Sequence, residues 1–233
     1  MELSATPTLT GSLVALEPLS LNHVAELRVA AGEDDLWRSW YTSVPHPDAM
    51  AEEVERRLGV QSLGHMLPWA IRLVSTGQVV GMTTFMNPSD TELRLEIGST
   101  WLATSAQGTG ANRETKLLQL AYAFDVLHCI AVEFRTHWHN RQSRKAIAAL
   151  GAKEDGVLRN HSVGPDGALR DTVVFSIIAS EWPAVRMGLR YTLDTGRGHQ
   201  AGPRARHSQT EGIEPLTQGR RNRREVSAAV DIR

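Results

Sequence analysis

Apolar and polar residues alternate through Ser12–Leu19, SLVALEPL, and Pro18 closes the run, so a first strand is expected there. The period then changes. Leu21, Val24 and Leu27 recur at helical spacing behind Ser20, a suitable N-cap, and Gly32 ends the pattern. The next stretch, DDLWRSWYTSVPHP, has no clear period, and Asp48 opens a charged helix after it. Two strand-like runs flank Ser75-Thr76-Gly77-Gln78, which predicts an antiparallel hairpin. Leu93–Leu102 is a further strand. The clearest helix follows, where Leu117, Leu120, Ala121 and Phe124 give the i, i+3, i+4, i+7 stripe of a buried face. IAVEFRTHW returns to strand, and Asn140 caps a helix that stops at Gly151. The last hairpin turns on Gly164-Pro165-Asp166-Gly167, and Ser180 is expected to cap a final helix with Pro183 in its first turn.

After Leu193 the pattern dissolves. Residues 195–233 contain no Phe, Trp or Tyr, a composition too poor in apolar surface to offset the entropy of ordering. The expected organisation is therefore one domain over residues 1–194 and a disordered Arg-rich tail over 195–233. The tail carries eight Arg and no Lys against four acidic residues, so the body carries −5 where the whole chain has a net −1. Its RRNRR run reads as a solvated end or as a contact for RNA or another acidic surface. The near-zero net charge gives no global field that would favour nucleic acid or a membrane surface. Cys129 is the only cysteine, which rules out an intrachain disulfide. With no signal-peptide pattern at the start and no apolar run near the roughly 20 residues of a membrane span, a cytoplasmic protein is expected.

The order strand–turn–helix–strand–helix from Leu93 to Leu150 predicts a parallel βαβ unit, right-handed like nearly all such units. Ligands of such units lie beyond the carboxyl ends of the strands. Both strands here run directly into a helix N-terminus, one through the glycine turn Gln107-Gly108-Thr109-Gly110-Ala111-Asn112 and one at Asn140. Free backbone N–H groups and helix dipoles at such an edge favour an anion. The spacing is neither of the familiar phosphate loops: a dinucleotide fingerprint needs glycine where Arg113 stands, and no G-K-[ST] follows. A plain strand-to-helix turn is the alternative.

Gln107-Gly108-Thr109-Gly110-Ala111 is similar to the first five positions of the [Arg/Gln]-x-x-Gly-x-[Gly/Ala] signature of the GNAT acyltransferase superfamily, with Asn112 at the sixth. His139–His161, HNRQSRKAIAALGAKEDGVLRNH, resembles the N-x-x-S-x-x-x-I-x-x-L-G-A-x-x-x-G segment of RimJ/RimL-type N-acetyltransferases, and Glu96–Leu102 resembles the strand before their signature loop. The resemblance spans roughly Leu13 to Trp182. It implies an α/β fold of the mixed α+β kind, with a central twisted, mostly antiparallel sheet, one parallel βαβ unit and flanking helices. It also implies acetyl-CoA as co-substrate. The pyrophosphate would lie on backbone N–H groups of Gln107, Gly108, Thr109, Gly110, Ala111 and Asn112. The pantetheine arm would bond the main chain of Trp101, Leu102 and Ala103, and Asn140 would hold a pantetheine amide.

Acyl transfer to an amine needs a neutral amine, donors for the tetrahedral oxyanion and a departing thiolate. A lysine amine titrates near ~10.4 and an α-amine near ~8, so a base helps most with the former. Glu96 is the expected base, or else an ordinary strand glutamate paired with Arg94 or a cross-strand cation. Ser143 is the expected acid, a role suggested for the RimJ/RimL type since no Tyr lies between Asn140 and Gly151; first-turn capping is its alternative. His137 and His139 share a strand face without a third ligand at metal spacing, so no metal is expected. Trp37, Trp40 and Tyr41 line the acceptor site or belong to the core. The function expected is N-acetyl transfer to a primary amine, whether of a small molecule, an amino acid or a protein N-terminus. The rivals are a larger donor such as succinyl-CoA and a GNAT-fold module that binds CoA or a partner without turnover. A homodimer stays open.

Overall fold

The computed structural model describes residues 6–42, 44–164 and 167–196. Of the tail read as a separate segment, residues 197–233, RRNRR included, lie outside the described residues. The strands are β1 (Leu9–Thr10), β2 (Val14–Pro18), β3 (Met66–Leu73), β4 (Val79–Ser89), β5 (Arg94–Leu102), β6 (Ala131–His137), β7 (Lys153–Val163) and β8 (Leu169–Ile178). They form one sheet in the order β1-β2-β3-β4-β5-β6-β8-β7. Neighbours are antiparallel except β5 and β6, which run parallel. The helices are α1 (Val24–Gly32), α2 (Met50–Ser62), α3 (Ala111–Ala121), α4 (Arg141–Ala149) and α5 (Trp182–Thr195). The expected mixed sheet and the βαβ unit β5-α3-β6 are both present.

The core follows the alternation of the central strands. Leu16, Trp69, Ile71, Met82 and Phe85 are fully buried, and Trp69 meets Phe85 edge-on at 5.0 Å between ring centroids. The β3–β4 turn forms at the expected Gly77, whose φ of 70° suits a residue without Cβ. β4 and β5 approach so closely that a Cβ on Gly81 would stand 2.1 Å from the Trp101 carbonyl oxygen.

Three local expectations shift. Asp48 lies within a single 3-10 turn, Pro47–Ala49, and α2 begins only at Met50. The last helix starts at Trp182 behind Glu181 instead of at a Ser180 cap, since Ala179–Trp182 already turn through Trp182 N–H to Ala179 C=O at 3.3 Å. The third shift concerns the buried face of α3. Leu120 is buried as expected, but Leu117 and Ala121 are only partly so, while Thr115, Lys116 and Gln119 are fully enclosed. The apolar stripe does face the core, with Phe124 buried beside Leu120 and with Leu117 and Ala121 packed against it, but polar groups on the sheet below receive polar side chains of this helix as well.

Candidate active site

β5 and β6 pair over three rungs only, Arg94–Ala131, Leu95–Val132 and Glu96–Glu133. Beyond Glu96 they part. The divergence has a local cause: the β4–β5 register shifts between Met82 and Thr84, and Ser99 is held at φ 46°, in the left-handed region. A cleft of about 660 Å³ opens between the parted strands, with Glu96, Gln107, Lys116, Asn140, Ser143 and Arg170 in its walls.

Two buried cations grip the bulge. Arg57 of α2 donates to Thr84 Oγ1 (2.8 Å), to the Ser99 carbonyl (3.3 Å) and to Glu53 (2.7 Å). Lys116 of α3 donates to Thr83 Oγ1 (2.9 Å), Thr100 Oγ1 (2.7 Å) and Gln119 Oε1 (3.0 Å). Thr83 and Thr84 are successive residues of β4, so they point to opposite faces of the sheet. The bulge is therefore held from above and below. Lys116 has no carboxylate in its cage, and burial pulls its pKa down to about 7. Hydrophobic periodicity could not have found either residue, because it scores a buried cation as surface.

Glu96 occupies the last rung before the strands diverge and is 9% exposed. Asn87 Nδ2 lies 3.5 Å from Oε2 and Arg135 Nε 3.6 Å. Burial raises its pKa above the ordinary carboxylate value; Arg135 opposes this, and Glu133 reinforces it. Of the partners expected for an ordinary strand glutamate, Arg94 pairs with Glu133 instead, while Arg135 on the neighbouring strand is a cross-strand cation beside Glu96. A carboxylate with raised proton affinity at the floor of a cleft is better equipped than an ordinary one to accept a proton.

The glycine turn adopts the conformation its residues predict. Gly108 and Gly110 have φ of 76° and 95°, and Gly110 precedes α3 as its left-handed N-cap. Thr109 ties the loop together, donating to the Ala106 carbonyl (2.7 Å) and accepting from Ala111 N–H (3.3 Å). Among the described residues, the N–H groups of Gly108, Thr109 and Gly110 have no hydrogen-bond partner. They remain open donors for an anion. Gln107, Gly108 and Asn112 line the cleft. The Gln107 side chain braces the loop, because its Nε2 donates to the Leu102 carbonyl (3.0 Å) and its Oε1 accepts from Gln142 (3.3 Å).

The three residues expected to meet a pantetheine through their main chain divide. Ala103 N–H already bonds the Val80 carbonyl at 2.7 Å. Backbone groups along a strand alternate between its two edges, so Trp101 also turns to β4, and Leu102 alone of the three turns to the cleft. Asn140 Oδ1 accepts Ser143 N–H at 2.9 Å and caps α4, which leaves its Nδ2 for a ligand. Ser143 is thus bound to that cap through its backbone, and its side chain belongs to the cleft wall. Of the aromatic residues, Tyr41 lines the cleft. Trp40 is 68% exposed and packs on His137 and His139 at 5.2 and 5.6 Å, while Trp37 packs on His46. Cys129 is buried, which lifts its thiol pKa to about 11. No helix among the described residues is long and apolar enough to cross a membrane.

A family model described as an acetyltransferase (GNAT) domain matches residues 14–153. Among solved structures, a T. thermophilus protein classed with the acetyltransferases is 35% identical, with a TM-score of 0.72 over 81% of this chain and 98% of its own. A GCN5-related N-acetyltransferase from Brucella melitensis is 30% identical, with a TM-score of 0.74 over 81% and 86%. RimJ from Mycobacterium smegmatis, solved in complex with CoA-disulfide, shares the fold at 23% identity and a TM-score of 0.69 over 82% and 96%. No match was found among curated proteins. A split mixed sheet, a glycine turn with open N–H groups and a family match over most of the sheet agree: the chain belongs to the GNAT acetyltransferase family.

Proposed function

We propose that this enzyme transfers an acetyl group from acetyl-CoA to a primary amine, with Glu96 as general base. The observation that carries the assignment is the buried Glu96 at the point where β5 and β6 separate, its proton affinity raised by burial. The cleft suits the donor on this chain's own features. The open N–H groups of Gly108, Thr109 and Gly110 fit a pyrophosphate, and nothing stands within 4 Å of a Cβ built on Gly108, so a ligand can approach the backbone there. Leu102 N–H and Asn140 Nδ2 are donors for an amide-bearing arm. The donor, when bound, supplies an activated thioester carbonyl.

Glu96 takes the proton of the incoming ammonium, directly or through water, and leaves a nucleophilic amine. The amine nitrogen forms a bond to the carbonyl carbon, and as the tetrahedral adduct collapses the carbon–sulfur bond breaks and the nitrogen gives up its second proton to solvent, leaving the neutral amide. The thiolate then takes a proton from the Ser143 hydroxyl, which solvent restores. Thiol pKa is about 8.5, so this step needs little help.

Free-thiol release, followed with acetyl-CoA and succinyl-CoA against a panel of amines, tests the assignment. Glu96→Gln should abolish most turnover while the CoA dissociation constant, measured by calorimetry, stays within about twofold. Unchanged turnover in that variant removes Glu96 as base. A wild type that binds CoA but acylates no amine is a binding module.

A further inference from the structure

We infer that the acceptor amine also carries a carboxylate, and that Arg170 is the residue that binds it. The inference rests on the reading of the cleft as an acetyl-transfer site and names the acceptor class. It starts from the charges in the cleft wall. Glu96 is the one acidic residue among the described lining residues, against Arg135, Arg170 and Lys116. Lys116 is enclosed by three neutral oxygens. Arg135 is committed to Glu133 at 3.0 Å and stands 3.6 Å from Glu96. Arg170 differs: among the described residues no carboxylate lies within ion-pair distance of it. Its Nε is shielded from solvent and has no hydrogen-bond partner. A buried donor without an acceptor is costly, so such a group in a cleft points to a ligand that completes it.

The sheet register says which ligand. Residues paired across strands share a face. Arg135, His137 and Thr172 lie on one face of β6 and β8, since His137 pairs with Thr172; Arg170, two residues from Thr172, joins them. Glu96 contacts Arg135 and its register partner Met86 shares its face, which is also the face of Thr84 and Arg57. Lys116 approaches from the other face, on the helix that begins at the glycine turn. Arg170 therefore shares the base's side of the sheet, opposite α3 and its anion cradle. The charge of Arg170 also bears on Glu96, favouring its ionised form. An amine delivered to Glu96 with an anionic group alongside would meet both residues. A planar guanidinium receives a carboxylate through two parallel hydrogen bonds. The shared chemistry is a carboxylate close to the amine, from a free amino acid or from an acidic first residue of a peptide.

The test compares L-amino acids with their C-terminal amides, and peptide amides beginning with Asp with those beginning with Asn. Wild type should acetylate the carboxylate member of a pair with kcat/KM at least tenfold higher; the pair that responds identifies the source. Arg170→Gln should erase the ratio mainly through KM, Arg170→Lys should restore part of it, and CoA affinity should not move in either. Calorimetric titration of the same ligands provides a readout independent of turnover: carboxylate ligands should bind wild type and lose at least tenfold affinity with Arg170→Gln. Equal treatment of the two members by wild type, or equal ratios in wild type and Arg170→Gln, overturns the inference. Loss of CoA affinity in Arg170→Gln overturns it as well, assigning Arg170 to the donor. If no amine is acetylated yet carboxylates bind through Arg170, the transfer reading fails and the anion site stands.

Discussion

Replacing Lys116 with Met removes an amine that the fold keeps at a cost, and the size of that cost can be worked out from its surroundings. The side chain is enclosed on all sides, without a carboxylate, and its pKa falls from 10.5 to about 7. At about 1.4 kcal/mol per pKa unit, this corresponds to ~5 kcal/mol of penalty on the charged form. Below pH 7 the lysine is protonated in both folded and unfolded states, so the full penalty acts. Above pH 10.5 it is neutral in both and the penalty vanishes. Between these limits the unfolded chain holds a proton that the folded chain lacks, so stability rises with pH. Methionine has a similar length. It also leaves the oxygens satisfied, because Thr83 Oγ1 lies 2.7 Å from Thr100 Oγ1 and 3.0 Å from Gln119 Oε1. Urea unfolding of both proteins at pH 6.5, 7.5, 8.5 and 9.5 checks the reasoning. Lys116→Met should be the more stable by ~3 to 5 kcal/mol at the lowest pH, with the advantage shrinking by about 1.4 kcal/mol per unit. An advantage that is constant across this range, or one that grows with pH, would refute the account of a desolvated, unpaired amine.

Glu96→Gln should lower kcat by roughly 10²–10⁴-fold. In wild type the rise of kcat/KM with pH should be centred above 4.5, because burial raises the Glu96 pKa and the base works only when ionised. Ser143→Ala separates acid from cap: the Asn140 cap uses the Ser143 backbone N–H, so stability should change by less than about 0.5 kcal/mol while thiolate release slows, seen as a kcat loss that shrinks as pH falls and solvent supplies the proton instead. Gly81→Ala would place a Cβ 2.1 Å from the Trp101 backbone oxygen, which cannot yield as a side chain could. Thermal unfolding should show a loss of about 2 kcal/mol or more, and a change under about 0.5 kcal/mol would contradict the close approach of β4 and β5.

The strand and helix order was readable because the sheet uses simple alternation: Trp69, Ile71, Met82 and Phe85 are apolar where the core needs them. The glycine turn was readable because left-handed backbone at Gly108 and Gly110 demands that residue type. Glu96 emerged through its place in a motif. Arg57 and Lys116 did not, since their meaning depends on Thr83, Thr84, Ser99 and Thr100, residues distant in sequence that only the β4–β5 register brings together. Arg170 is equally silent in sequence, because nothing local reveals that its partner is missing. The main-chain roles expected of Trp101 and Ala103 fail for a related reason: which edge a backbone N–H faces is set by pairing, and pairing is not written in a single strand.

The parting of β5 and β6 after three rungs also has a dynamic consequence. The sheet is two ladders, β1 through β5 and β6-β8-β7, joined by a short seam and spanned by the βαβ connection. An extended ligand lying in the gap substitutes for the missing rungs, so occupancy should be written into the backbone itself. Amide hydrogen exchange at Leu102 and at Gly108–Gly110 should slow when the ligand binds, and the seam at Arg94–Glu96 should slow with it, as local opening of the two ladders becomes coupled to ligand release.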